Sequence, residues 1–81
     1  MSENKIETTK AMCVVSLTRH IMKKLALGCE EAYKRLLVSD LYELLQDSET
    51  RLFLETNEYL NGAYDKELEG GKDALYQYIQ Q

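Results

Sequence analysis

The sequence predicts an all-α fold, a small bundle of about four helices led by one long N-terminal helix. Three observations predict it. Apolar residues recur at three- and four-residue spacings over most of the 81-residue chain. No stretch sustains the two-residue alternation of a half-buried strand. Proline is absent, and Gly28 and the pair Gly70-Gly71 stand where the helical periodicity stops.

The first helix is expected from about residue 8 to residue 27, with Thr8 or Thr9 as its cap and residues 1–7 flexible. Its stripe is Ala11, Met12, Val14, Val15, Thr18, Ile21, Met22 and Leu25, with Lys10, Arg19, His20, Lys23 and Lys24 largely on the other sides. Gly28 supplies the left-handed residue that closes a helix. Residues 30–46 form the next helical stretch, opened by Glu30 and Glu31 at the positive end of its dipole. A break is expected near Ser39, where Ser39 or Asp40 can cap a new helix and Asp40 with Glu43 matches a capping box.

Asp47-Ser48-Glu49-Thr50 reads as a turn, since Asp and Ser side chains bond nearby backbone amides. Residues 51–55 are a short connector around the apolar triplet Leu52-Phe53-Leu54. Thr56 or Asn57 then caps a helix running to Glu69, interrupted by Gly62. After Gly70-Gly71 a short final helix places Leu75, Tyr76 and Ile79 on one side, and the last few residues are flexible. The expected core is Val15, Ile21, Leu25, Leu36, Leu41, Leu45, Phe53, Leu60 and Tyr64.

A single domain covering residues 1–81 is expected, and one of this size buries only about 60–65% of its unfolded surface. Ordering costs roughly 1.5 kcal/mol per residue, so a further stabiliser is expected. Disulfides do not supply it. Cys13 and Cys29 are the only cysteines, and along one helix their separation would be roughly 24 Å. They read as small buried apolar groups in a reducing compartment. The N-terminus lacks the pattern of a secretory signal, and no segment has the apolar length of a membrane span. A cytoplasmic protein, stabilised by self-association or by a protein partner, is the expectation.

The net charge of −4 hides an asymmetry: residues 1–38 hold seven Lys and Arg against four Asp and Glu, while residues 39–81 hold three against ten. Such a division suits halves that attract each other within or between chains, or a basic surface for nucleic acid. The second reading rests on Lys10, Arg19, Lys23, Lys24, Lys34 and Arg35, few for a nucleic-acid domain. A helix-turn-helix around residues 27–45 would put Asp40, Glu43 and Asp47 toward phosphate, which repels them.

Catalytic chemistry finds little to stand on. His20 is the only histidine, without a triad partner in the sequence, and it reads as a solvated helix residue. One His and two separated Cys make a poor zinc set, and no Glu-x-x-His pair is present for a carboxylate-bridged metal site. The glycines do not form a phosphate-cradling loop. The many carboxylates after Ser39 read as a solvated acidic face. No enzyme activity, cofactor, metal or small-molecule substrate is implied.

The segment Glu30–Leu68, about half of the chain, resembles a group of short bacterial all-helical proteins known mainly as domains of unknown function. The resemblance is carried by Leu-Tyr-Glu-Leu-Leu at 41–45, by the Asp-Ser-Glu-Thr turn and by the helix from Tyr59 to Leu68. It implies a small regulatory or antitoxin-like partner of another protein and transfers no catalytic residue.

These readings converge on an interaction module. The long first helix presents more apolar stripe than the short later helices can cover, and six tyrosines against one phenylalanine suit the boundary of a core or an interface. Met12, Arg19, Met22, Lys23, Tyr59, Tyr64 and Tyr76 are the candidate interface residues, in a homodimer or in a complex with another protein. A nucleic-acid-binding regulator is the alternative.

Overall fold

The first helix sets the frame on which the others pack. A computed structural model of the chain describes the backbone of residues 3–80 and the side chains of residues 4–80. Four α-helices follow one another, α1 (Glu3–Leu25), α2 (Cys29–Leu37), α3 (Asp40–Gln46) and α4 (Asn57–Gln80), with 3₁₀ turns at Ser48–Thr50 and Leu52–Leu54 between the last two. The described residues contain no strand. At 1.5 Å per residue α1 is about 34 Å long, nearly the longest dimension of a molecule measuring 35 × 29 × 20 Å. It contacts α2, α3, α4 and the Leu52–Leu54 turn.

Two expectations about α1 need correction. It starts at Glu3, so Thr8 and Thr9 are not caps; their hydroxyls donate to the carbonyls of Asn4 and Lys5, one turn back, at 2.9 and 2.8 Å. Ile6, expected to lie in a flexible end, packs against the core, while residues 1, 2 and 81 lie outside the described residues. The inward seam also has a different phase. It runs through Ile6, Lys10, Cys13, Leu17 and Ile21, leaving Val15 at 52% exposure and Leu25 only partly buried. Apolar residues occur on more than one side of α1, and a buried lysine concealed the side that packs.

That lysine is Lys10, 5% exposed. Its ammonium donates to the Gln46 carbonyl at 2.8 Å and to Ser48 Oγ at 2.9 Å, and it lies 5.8 Å from the centre of the Phe53 ring. The apolar stem is covered while the charged tip meets the carbonyl end of α3, where a cation is favoured.

The chain leaves α1 through Ala26, whose φ of 55° is left-handed, and the Leu27 amide donates to the Met22 carbonyl at 3.1 Å. This is the six-to-one bond of a Schellman ending. Gly28 therefore does not close α1; it stands extended at φ −71°, ψ 169°, before α2. The break near Ser39 is present. Ser39 Oγ accepts from the Tyr42 amide at 3.1 Å and donates to the Leu36 carbonyl at 2.6 Å. The carboxylate that a capping box would draw from Glu43 comes instead from Glu67 on α4, which accepts from the amides of Asp40 and Leu41 at 2.9 Å each.

Asp47 Oδ1 accepts from the Glu49 amide at 3.0 Å, and the Thr50 hydroxyl donates to the Leu44 carbonyl at 2.7 Å. The expected turn follows α3 directly. Leu52 and Phe53 point into the core and Leu54 points out. Thr56 caps α4 by accepting from the Tyr59 amide at 3.1 Å. At Gly71 the backbone leaves the helical region, φ 73° and ψ −158°, a conformation essentially reserved for glycine. The final segment then packs back: Leu75 is fully buried, and the Tyr78 ring lies 5.1 Å from the Tyr59 ring with its hydroxyl donating to the Tyr59 carbonyl at 3.2 Å. Gly62 permits this approach, since a Cβ there would stand 2.5 Å from the Tyr78 hydroxyl.

Ile21, Leu36, Leu41, Leu45, Phe53, Leu60 and Tyr64 are buried as expected, joined by Cys13, Leu17, Ala32, Leu52, Ala63 and Leu75. Leu17→Ala is expected to lower unfolding free energy by about 2–5 kcal/mol, and Val15→Ala by less than about 0.5 kcal/mol. Urea titration of both variants checks the phase of α1, and the reverse ranking would contradict it. Ala26→Gly relieves a left-handed alanine at the cost of a freer unfolded chain, for a net gain of roughly 0.5–1 kcal/mol. Calorimetry should record a rise of a few degrees in Tm, and a fall would contradict the assigned helix ending.

Candidate functional site

Because the seam of α1 faces Ile6, Cys13 and Leu17 inward, Ala11, Met12 and Val15 are left outside. Met12 is 67% exposed and Val15 52%. Together with Ala11 they form the floor of an open groove of about 660 Å³ between α1 and the beginning of α4. Thr8, Ser16, Arg19, His20 and Lys23 extend the α1 side, and Asn57 and Asn61 form the facing wall. Along α1 the groove runs from residue 8 to residue 23, about 22 Å at helical rise.

The electrostatics of the groove oppose those of the chain. Its lining includes Arg19 and Lys23 and no carboxylate, on a molecule of net charge −4. Neither cation makes an ion pair within the described residues, whereas Lys24 lies 3.4 Å from Asp65 and Lys34 lies 3.5 and 3.9 Å from Glu30 and Glu31. Asn61 adds a buried side-chain oxygen with no hydrogen-bond partner among the described residues. An acceptor without a donor costs about 1–3 kcal/mol.

His20 is not the solvated residue that its basic neighbours suggested. Its Nε2 lies 2.7 Å from Asp65 Oδ1, with the two side chains only 23% and 29% exposed. The pair ties α1 to α4 beside the groove. No hydroxyl or thiol of the described residues bonds the other ring nitrogen, so the pair is a dyad without a nucleophile attached to it. Of the carboxylates after Ser39, Asp47 and Glu67 accept from backbone amides at helix starts and Asp65 and Glu69 pair with cations, and no three His, Cys, Asp or Glu side chains of the described residues converge as a metal site would need.

The structure brings Met12, Arg19 and Lys23 together and separates the other expected interface residues from them. Met22 and Tyr59 are partly buried against the core. Tyr64, 3% exposed, belongs to the interior and is not available to a partner. Burial raises its pKa, and the nearby Glu67 carboxylate adds to the effect while Arg35 opposes it. Tyr59 is raised as well, by burial first and then by Glu55. Tyr76, 36% exposed, lies on the segment after Gly71 with Lys72 5.5 Å from its ring, outside the groove lining. Asn57 and Asn61 were missed. Their i, i+4 spacing at the start of α4 was the only signal, and nothing in the sequence pairs it with α1.

No protein-family model, curated protein or solved structure matches this chain. Among the described residues no helix is long and apolar enough to cross a membrane.

The two cysteines have opposite surroundings. Cys13 is buried, bonded through sulfur to the Phe53 carbonyl at 3.6 Å, and burial raises its pKa above the ordinary value; Cys29 is exposed at the start of α2. The expectation that both are buried therefore holds for Cys13 alone. A thiol-reactive chromophore added to the native protein should label one thiol promptly and the second only at the rate of unfolding. Cys29→Ser should abolish the prompt phase, and prompt labelling in that variant would contradict the burial of Cys13.

Proposed function

We propose that this protein is an interaction module that works by holding another protein chain against the α1–α4 groove, as a homodimer or as the small subunit of a complex. A regulatory or antitoxin-like partner role, as the resemblance of residues 30–68 implies, fits such a module. The observation that carries the reading is the exposure of Met12 and Val15 in the middle of α1, 67% and 52%. Large apolar side chains grouped in a concave surface and rimmed by polar residues mark protein contacts more often than solvated faces. Free thiols, one of them exposed, support a reducing, cytoplasmic setting.

The nucleic-acid alternative loses support from the placement of its cations. Lys10 is occupied inside the core, and Lys24 and Lys34 are engaged with carboxylates. Arg19 and Lys23 in the groove, with Arg35 elsewhere, leave a small positive surface for a phosphate backbone.

Met12→Glu places a charge on the groove floor without touching the core. Light scattering over the micromolar range, combined with affinity capture of the tagged chain from its host, should find the wild type with a second copy or a stoichiometric partner. The variant, unchanged in helical content, should lose that association at least tenfold. A wild-type chain that stays monomeric at every concentration and retains no protein would remove the interaction reading.

A further inference from the structure

The proposed module leaves its partner unspecified, and the charge and shape of the groove narrow the choice. We infer that the groove receives an acidic amphipathic helix of a different protein, its apolar face on Met12 and Val15 and its carboxylates beside Arg19 and Lys23. The inference rests on the interaction reading above and specifies the occupant.

Shape argues for a helix. Both walls are helical and the described residues offer no strand edge, so an extended peptide would find no backbone partners for its amides. A third helix laid along two others seats side chains between their ridges, and the groove gives it about 22 Å along α1, about four turns. Charge argues for acidic flanks. Arg19 and Lys23 are four residues apart on one side of α1, without an ion pair among the described residues, in a groove lined by no carboxylate of those residues. A basic helix would be repelled there and a neutral one would leave both cations without partners.

A second copy of this chain does not present such a face. The exposed apolar residues Tyr33, Leu37 and Val38, on and just after α2, stand among charges of both signs, Glu30 and Glu31 paired with Lys34, and Arg35. On α4 the exposed Leu68 and Tyr76 lie on opposite sides of the break at Gly71. The exposed apolar faces of the described helices thus carry basic residues among their acidic ones, Lys34 and Arg35 on α2 and Lys66 and Lys72 on α4, unlike the wholly acidic flank that Arg19 and Lys23 favour.

The test measures binding of the full chain to three fluorescent probes by anisotropy. The probes are a 14-residue helical peptide with leucines on one face and glutamates flanking it, the same peptide with lysines for glutamates, and a mixed-sequence DNA duplex. The glutamate peptide should bind at least tenfold more tightly than the lysine peptide, with an affinity that falls as salt is added. The double variant Arg19→Glu with Lys23→Glu should invert the preference between peptides, an outcome that misfolding does not produce. Equal or absent binding of the peptides overturns the inference, as does a preference for the duplex. Self-association of the chain that Met12→Glu disrupts, with neither peptide bound, would also overturn it while leaving the interaction reading intact.

Discussion

The structure depends on a seven-residue helix that is held at both ends by charged side chains from its neighbours. A helix as short as α3 is unstable alone, because nucleation is unfavourable and most of its backbone groups lie within the unpaired first and last turns. At its start Ser39 and Glu67 take up three amides, and at its end Lys10 and Thr50 donate to the carbonyls of Gln46 and Leu44. A carboxylate at the positive end and an ammonium at the negative end both match the helix dipole. Glu67 comes from α4 and Lys10 from α1, so the same two side chains that allow α3 to exist also fix α1 and α4 against it. The apolar contacts of Leu41 and Leu45 follow from that placement.

Local signals in the sequence were sufficient for the element order. Ser39, Thr56 and the Gly70-Gly71 pair mark boundaries through bonds to residues two to four positions away or through the φ values of single residues, and such information is contained in a short window. The phase of α1 was not contained in one. Counting apolar residues favoured the side with Met12 and Val15, whereas packing chose the side with Cys13 and Leu17, and Lys10 on that side had no local reason to be buried. Its reason is the carbonyl of Gln46, 36 residues away.

Half of the groove was legible for the same reason. Met12, Arg19 and Lys23 lie on one helix and can be grouped by spacing, while Asn57, Asn61 and the His20–Asp65 pair depend on how α4 lies across α1. The division of charge between the halves of the chain was visible, but its use was not. Part of it is spent joining the helices, in Lys10 at the end of α3, Glu67 at its start and Asp65 between His20 and Lys24. What is left at the groove is a small positive remainder, Arg19 and Lys23, on an acidic protein.

The return of the chain after Gly71 bears on how the protein is made. Leu75 is among the fully buried side chains, and Tyr78 closes over Gly62 and Tyr59. Until residues 72–80 have left the ribosome, the interior surfaces beneath them remain open to water, although α1 and α2 can already associate through contacts near in sequence. Synthesis therefore passes through a stage in which a nascent helical hairpin carries uncovered apolar surface, which residues 72–80 cover once they pack back.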